Sequence, residues 1–253
     1  MKRRAWFTVL GVALSVSLTA TPVGAAAIIR HASRAAPVVA LTFDDGWSPV
    51  VVRQILAILV ENGVPATFFP YASAMRRSPS VWAAVAAAGY PVGNHTVSHR
   101  SLPRLPSAVI RHEICGFRAM ADPVLGGPSI DWFRPPYGHW SPRVAAIAAE
   151  CGYRHVLLWD VDAHDWGSTR AMTVAVRASA GENGSIVLMH AGPASTPSVL
   201  QHIIDGYRAR GFEFVTVPQL LGSGADPSIA EHHDDGDGEP DGALIAERCR
   251  EER

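Results

Sequence analysis

Two adjacent carboxylates end the first long apolar run after residue 37. Asp44 and Asp45 follow the run 38–43, and Gly46 comes next. Side chains of neighbouring strand residues point to opposite faces, but a glycine permits a sharp bend through which both acids can reach one pocket. Burying two carboxylates at an apolar strand end is costly unless a cation or hydrogen bonds compensate. A helix cap needs only one acid, so the pair favours a functional site.

Two histidines four residues apart follow the third apolar run. His95 and His99 are predicted to lie on one face of a helical turn, where they could bind one ion. This spacing alone is common by chance. Combined with one carboxylate of the strand-end pair, however, it makes a two-histidine, one-carboxylate set. Such a set leaves a coordination position for water, as a catalytic zinc site requires.

Three further segments carry candidate polar residues. The prolines of residues 133–138 hold a loop rigid, and Arg134 offers a bidentate partner for a carboxylate. Residues 162–166 place acids beside Trp166, which suits stacking on a sugar ring. His190 ends the apolar run 185–189 and is a candidate general acid. Taken alone, each segment has a structural explanation. Residues 133–138 could be a rigid surface turn, Trp166 a packed tryptophan and His190 a core histidine.

Short apolar runs alternate with helical patterns from residue 37 to residue 221. Seven strands are predicted, at 38–43, 66–71, 90–93, 132–133, 153–158, 185–189 and 212–215. Helical spacing predicts helices at 49–62, 80–88, 106–121, 142–150, 169–180 and 199–210. Repeated βαβ units imply a parallel sheet covered by helices. The pattern fits a closed barrel or an open sheet, and in both the site lies where strands end.

Composition sets broad limits. The chain has 253 residues and a formal net charge of -1, so one sizeable domain is expected and nucleic acid is not expected as a partner. When the three basic residues at the N-terminus and the last 32 residues are left out, the remaining core has 16 basic and 13 acidic residues, a net charge of +3. A mildly basic core of this kind tolerates an anionic polymer without requiring one.

Both ends of the chain differ from this core. Residues 1–25 have a basic start, a short apolar stretch and small residues near Ala25, which predicts a cleaved export signal. The apolar stretch falls short of the ~20 residues needed to span a membrane, so no stable membrane insertion is expected after cleavage. Residues 222–253 carry ten acids against three arginines, and a disordered acidic tail is predicted there.

Three cysteines leave the redox state open. Cys115 and Cys151 could pair in an oxidising compartment, with Cys249 left over in the tail. Two buried free thiols would explain the pair equally well.

Taken in order, five motifs resemble those of the polysaccharide deacetylase family, carbohydrate esterase family four. They are residues 42–46, the pair His95 and His99, and residues 134–138, 162–166 and 188–190. The resemblance covers residues 37–221 and implies a distorted barrel of about seven β/α units. It also implies a secreted or cell-wall-associated metal-dependent hydrolase that removes N-acetyl or O-acetyl groups from a carbohydrate polymer. Residues 138–141 depart from the usual run after the third motif, which leaves the substrate open.

The resemblance also implies the metal site and the base. Asp45, His95 and His99 would hold the metal, Zn²⁺ or another divalent ion such as Co²⁺. Asp44 would be the base that takes a proton from the attacking water, and Arg134 would orient Asp44 and keep it ionised.

The acid and the substrate contacts are implied in the same way. His190 would protonate the leaving amine with support from Asp165. The backbone N–H of Tyr137 would help to stabilise the oxyanion, and Pro135 and Trp166 would contact the substrate.

Two rival functions are weighed against a polymer deacetylase. One is a hydrolase of a small amide or cyclic imide on the same fold, although such relatives often alter the first motif's acids. The other is an inactive cell-wall-binding module, which would be expected to lose Asp44 or His190; both are present. Peptidoglycan is the preferred polymer, with chitin-like oligomers and acetylated xylan left open, and a monomer is expected.

Overall fold

Eight short strands form the centre of the part of the chain described by the computed structural model, residues 25–167 and 170–222. Most of them run through apolar sequence and are buried on both faces, as parallel strands covered by helices usually are. Their bounds are β1 (Ala27–Ile29), β2 (Val38–Asp45), β3 (Ala66–Pro70), β4 (Trp132–Phe133), β5 (His155–Leu157), β6 (Val161–Asp162), β7 (Ser185–His190) and β8 (Glu213–Phe214).

Eight helices lie between and after these strands in the described residues. They are α1 (Pro49–Asn62), α2 (Ala72–Arg77), α3 (Pro79–Ala87), α4 (Ser107–Leu125), α5 (Pro142–Glu150), α6 (Ala171–Ala178), α7 (Ser195–Ala209) and α8 (Val217–Gly222), with a 3₁₀ turn at Pro136–Gly138. The start of α1 is set by Ser48, whose side chain accepts a hydrogen bond from the Val51 N–H, and its end by Gly63 in the left-handed conformation.

The strands form two parallel sheets that together make a distorted barrel. One sheet has the order β1-β5-β4; in the other the order is β3-β2-β7-β6, and β8 also pairs with β2. On one side the sheets meet through residues 92–94, because Val92 bridges to Phe68 of β3 and Asn94 bridges to Phe133 of β4. On the other side His31 bridges to Ser185 at the start of β7. The predicted distorted α/β barrel is therefore confirmed.

Strand β2 determines where the polar residues meet. It pairs in parallel with β3 and with β7, so that Asp44 lies in register with Phe69 and with His190. Below this level the strand is fully buried at Val39, Ala40 and Leu41. The apolar part of the barrel thus supports a polar layer at the carboxyl ends of the strands, where parallel α/β folds build their sites.

Several element predictions need correction. Helices 49–62 and 142–150 are confirmed, but the strand predicted at 90–93 is absent, and residues 92 and 94 contribute only isolated bridges. Strands β1 and β6 and helices α2 and α8 were not predicted. Strand β1 precedes the predicted domain start at residue 37 and pairs with β5. Residue 169, where the sixth helix was predicted to start, lies outside the described residues.

A disulfide joins α4 to the end of α5. Cys115 and Cys151 are bonded, with their Cα atoms 5.0 Å apart. The pair lies beside a cluster of buried apolar residues that includes Ile114 and Ala148. The structure therefore selects the disulfide over the two free thiols that the sequence left equally possible.

The two ends of the chain are only partly described. Residues 1–24 of the predicted export signal and residues 223–253 of the predicted tail lie outside the described residues. Among the described residues, no helix has the length and apolar character needed to cross a membrane.

Candidate metal centre and active site

The two acids of β2 both face one pocket because the backbone turns at the second of them. Asp45 has a φ of 71°, in the left-handed region, and Gly46 follows with a φ of 80°. This turn ends the strand alternation that would send neighbouring side chains to opposite faces. Gly46 is also required sterically, since a Cβ atom there would overlap the indole of Trp82. Both carboxylates are buried, with 2% and 5% of each residue exposed.

The two histidines lie on an irregular loop after residue 94, and the predicted helical turn is wrong. Thr96 and His99 both have positive φ, at 73° and 60°. The loop is held by side chains: Asn94 Oδ1 accepts from the Thr96 N–H at 2.6 Å, and Thr96 Oγ1 accepts from the His99 N–H at 3.0 Å. These bonds, rather than helical spacing, bring the two imidazoles together with their ring centroids 5.0 Å apart.

The imidazole of His95 has its tautomer fixed by its environment. Its Nδ1 lies 2.8 Å from the backbone carbonyl oxygen of Arg134. Because a carbonyl only accepts, Nδ1 carries a proton, and in the neutral form of the ring Nε2 presents its lone pair to the acids. Ligating histidines in metalloproteins are commonly oriented in this way.

Asp45, His95 and His99 converge on one point. Asp45 Oδ1 lies 3.0 Å from His99 Nε2 and 3.4 Å from His95 Nε2. The three potential ligand atoms lie within 4.8 Å of one another. Asp45 Oδ1 is buried and accepts no hydrogen bond from the described residues. A buried carboxylate oxygen without a donor, facing two imidazole nitrogens, is the environment that a divalent cation stabilises, so these residues fit a metal site.

Asp45 is strongly biased toward its ionised form. Burial opposes ionisation, but in the metal-free protein the protonated forms of His99 and His95 outweigh burial and hold the pKa of the Asp45 carboxyl well below its ordinary value. The deprotonated carboxylate is the form that binds a metal.

Arg134 is fully buried beneath these acids, at the end of β4. Its Nη1 donates to Asp44 Oδ1 at 2.7 Å and to Thr42 Oγ1 at 2.8 Å, and its Nη2 donates to the Leu158 carbonyl at 3.2 Å. Burial lowers the pKa of the guanidinium, although Asp44 acts in the opposite direction; an arginine remains charged nonetheless. Arg134 thus fixes Asp44 by one oxygen, and the second, Oδ2, lies 3.8 Å from His95 Nε2 at the candidate metal site.

His190, at the end of β7, forms a second charged pair. Its Nδ1 lies 2.7 Å from Asp165 Oδ1, and its backbone N–H donates to Asp165 Oδ2. Asp165 is completely buried and also accepts from Thr196 Oγ1 at 2.5 Å. Burial disfavours the imidazolium, but Asp165, and then Asp45 and Asp44, outweigh it and raise the pKa of His190 to about 9.

The predicted substrate-contacting residues occupy different environments. Tyr137 has a φ of 62° and is 39% exposed, and its ring lies 4.7 Å from that of His99. Trp166 is 49% exposed and lies against His164. Pro135 is buried, and its carbonyl accepts from the Gly138 N–H. Tyr137 and Trp166 are therefore available at the surface, whereas Pro135 shapes the loop from below.

Sequence reasoning missed several supporting residues. Thr42 bridges Arg134 and the Val187 carbonyl, and buried Glu113 accepts from both the N–H and the hydroxyl of Ser98 beside His99. In the sequence, Thr42 stands out as a polar residue inside an apolar run, and Glu113 as an acid on the buried face of a helix. These two features could have identified them. Trp47, 43% exposed, packs against Gly192 two residues after His190, and its position next to the first motif could have revealed it.

Comparisons with known proteins identify the family of this chain. The family model for polysaccharide deacetylase matches residues 31–156. A peptidoglycan-N-acetylglucosamine deacetylase of Bacillus cereus is 30% identical over 189 residues, which cover 73% of this chain and 88% of that protein. A chitooligosaccharide deacetylase of Sinorhizobium fredii is 32% identical over 206 residues, which cover 76% of this chain and 95% of that protein.

Solved structures show the same fold. The peptidoglycan N-acetylglucosamine deacetylase Bc1960 superposes with a TM-score of 0.73 at 29% identity, over 78% of this chain and 94% of its own. BA3943, a family-four pseudoenzyme from Bacillus anthracis, superposes with a TM-score of 0.73 at 27% identity. The superposition covers 80% of this chain and 70% of BA3943. On this similarity of sequence and fold, the chain belongs to the polysaccharide deacetylase family, carbohydrate esterase family four, and is a carbohydrate deacetylase.

Proposed function

We propose that this deacetylase removes N-acetyl groups from the amino sugars of a polymer, with peptidoglycan as the preferred substrate and Zn²⁺ or Co²⁺ as the metal. The observation that carries the proposal is the buried, donor-free Asp45 Oδ1 facing His95 and His99. Asp44 and His190 lie in register on adjacent strands beside it. When bound, the divalent ion supplies positive charge that polarises the acetyl carbonyl and lowers the pKa of water.

Asp44 is the general base in this proposal. Arg134 holds one of its oxygens, so the other is free to take a proton from the attacking water at the metal site. The guanidinium is buried and bonded on several sides. The orientation of the base is therefore set before any substrate arrives.

His190 is the general acid. With a pKa of about 9 its imidazole is protonated at neutral pH, and Asp165 holds Nδ1. That leaves Nε2 to deliver a proton to the leaving amine nitrogen. An amine leaves poorly unless protonated, which suits an acid of this kind to amide hydrolysis. The backbone N–H of Tyr137 is proposed to stabilise the oxyanion, and Trp166 to contact a sugar ring.

Export is part of the proposal. Residues 1–25 have the features of a cleaved signal, and the Cys115–Cys151 disulfide suits an oxidising compartment. Bacterial cell-wall polymers are encountered outside the membrane, and the named relatives include peptidoglycan deacetylases.

The rival functions predict different residues or substrates. An inactive wall-binding module deserves a test because a similar solved structure is that of a pseudoenzyme. Asp44, Asp45, His95, His99 and His190 are all present here and converge in one site, which favours an active enzyme. A hydrolase of a small amide on the same fold would release acetate or its equivalent from monomers and not from polymers.

Acetate release from three polymers tests the function. We expect the purified protein loaded with Zn²⁺ to release acetate from peptidoglycan glycan strands faster than from chito-oligomers or acetylated xylan. Chelation should abolish release, and added Zn²⁺ or Co²⁺ should restore it, because the site offers no other evident way to activate water. Full activity in a sample shown by elemental analysis to be metal-free would contradict the proposal.

Separate variants distinguish the two adjacent acids. Asp45→Ala should lose bound metal, whereas Asp44→Asn should keep metal and fold but lose about 10²–10⁴-fold in kcat, the usual contribution of a general base. Elemental analysis after dialysis, melting temperature and acetate release are the measurements. Asp205→Asn, on the exposed side of α7, is a matched control that should change none of them. Near-normal kcat in Asp44→Asn would show that the roles are assigned wrongly.

The His190–Asp165 pair predicts a pH dependence. Removing the carboxylate in Asp165→Asn should lower the pKa of His190 from about 9, because burial remains while the largest raising influence is gone. NMR titration of the imidazole in metal-free protein measures this change directly. Acetate release by the metal-loaded variant should fall off at a lower pH than in the wild type.

Stability should follow the same pair. A histidine whose folded pKa is raised contributes stability that is fully present below pH 6.5 and is lost as the pH rises through about 9. The difference in unfolding free energy between wild type and Asp165→Asn should therefore shrink between those two values. An unchanged His190 titration in Asp165→Asn would refute the assignment.

A further inference from the structure

Three phenylalanine, tyrosine or tryptophan side chains are well exposed within residues 25–167 and 170–222, and all three follow the carboxyl end of a strand. Trp47 follows β2, Tyr137 follows β4 and Trp166 follows β6. Tyr137 and Trp166 are proposed substrate contacts, whereas Trp47 has no role in the proposed reaction. Tryptophan usually buries most of its surface, so an indole that is 43% exposed beside the candidate site is an unusual feature.

The backbone of Trp47 is held on both sides. Strand β2 ends at residue 45 and α1 begins at residue 49, so the connection between them is short. Gly46 turns the chain with a φ of 80°, and the side chain of Ser48 caps α1 by accepting from the Val51 N–H. Trp47 therefore has a fixed position before any ligand binds.

The indole of Trp47 rests on the backbone of Gly192. A Cβ atom at Gly192 would lie 2.1–2.4 Å from three atoms of the six-membered ring of Trp47, closer than real contacts allow. Gly192 itself is buried. The preceding Ala191 N–H donates to the Asp44 carbonyl at 2.9 Å, which ties this segment to β2. The indole thus has a rigid seat, while the rest of its surface is exposed.

This seat places the indole next to the proposed acid. Strand β7, which ends at His190, lies between β2 and β6 in the sheet. Gly192 is two residues beyond His190, so Trp47 lies on the β2 side of the acid. Trp166 directly follows Asp165, the partner of His190, on the β6 side. A sugar whose leaving amine reaches His190 must therefore pass close to Trp47.

We propose that Trp47 is a substrate-positioning residue whose exposed indole stacks on a sugar ring of the polymer at the His190 side of the candidate metal site. Residue 192 is glycine, in this account, because the indole occupies the space of a Cβ atom. The inference rests on the proposed N-deacetylation and adds a determinant of how the substrate is held. The apolar C–H face of a sugar ring gains by leaving water for an aromatic surface. A rigid indole loses little conformational entropy when it binds.

Steady-state kinetics of the zinc-loaded protein on soluble peptidoglycan glycan strands test this role. Trp47→Ala should raise KM about two- to tenfold, the usual range for an aromatic stacking contact, with a much smaller change in kcat. Trp47→Leu keeps an apolar cover over Gly192 without a flat ring and should also raise KM at a wild-type melting temperature. Trp47→Phe should recover much of the loss. Val60→Ala, at an exposed apolar position near the other end of α1, is the matched control and should behave as the wild type.

A double-mutant cycle tests the seat. The added methyl group in Gly192→Ala should displace the indole and raise KM on the same strands. Because that effect passes through Trp47, Gly192→Ala should change KM little further in a Trp47→Ala background. NMR titration of His190 in the metal-free protein should be the same in the Trp47 variants as in the wild type. A KM increase from Gly192→Ala that persists in full without the indole would contradict the seat.

Other outcomes would overturn the role of Trp47. One is a wild-type KM in both Trp47→Ala and Trp47→Leu, with or without a lower melting temperature, because the indole would then serve only as a cover. Another is a loss confined to kcat together with a shifted His190 titration, which would show that the indole acts on the acid instead of the sugar. In both cases acetate release by the wild type would still uphold the deacetylase. Failure of the metal-loaded wild type to release acetate would instead overturn the proposed function, and this inference with it.

Discussion

The ion pair between Arg134 and Asp44 is the interaction on which the rest of the site depends. Two carboxylates lie side by side in a buried layer, and carboxylates taken out of water need a compensating charge. Arg134 supplies it from β4 while also donating to Thr42 and to the Leu158 carbonyl. It thereby ties the three-stranded sheet to the five-stranded one. Removing one partner of a buried pair typically costs about 3–5 kcal/mol, so the pair supports the fold as well as the orientation of Asp44, the proposed base.

Backbone strain is concentrated around the same site. The non-glycine residues with positive φ in the described ranges are Asp45, Thr96, His99, Tyr137 and His164. Such conformations cost about 1–3 kcal/mol each and persist only where the surroundings enforce them. Here the enforcing contacts are visible: Asn94 and Thr96 hold the histidine loop, and Glu113 holds Ser98. Three of these residues are the candidate metal ligands Asp45 and His99 and the proposed substrate contact Tyr137.

Elements whose bounds are set by their own residues were predicted correctly, whereas elements that depend on distant strands were not. Helix α1 was predicted at its observed bounds because its helical spacing of apolar residues stops at Gly63, and Gly63 does end the helix in the left-handed conformation. The strand predicted at 90–93 failed because its neighbours β3 and β4 meet it at single residues, which apolar composition does not reveal. Strand β1 is three residues long and is formed by pairing with β5. Its own residues therefore carry no pattern that predicts a strand.

The sequence predicted which residues of the candidate site lie together, but not the backbone geometry that brings them together. Asp45, His95 and His99 converge as expected, but through left-handed backbone and side-chain hydrogen bonds rather than through a helical turn. Likewise, the proximity of Cys115 to Cys151 is a consequence of how α4 and α5 pack, which spacing in the sequence could not decide. Motifs specify which groups take part, whereas the tertiary structure specifies how they meet.

The most direct test of the central claim is a crystal structure of the zinc-loaded protein with anomalous scattering measured across the zinc absorption edge. One ion should lie at about 2.0–2.2 Å from Asp45 and from Nε2 of both His95 and His99, with Asp44 still bonded to Arg134 and His190 still bonded to Asp165. An ion bound elsewhere, or one that takes Asp44 or His190 as a ligand in place of Asp45, would contradict the division of roles on which the proposed mechanism depends.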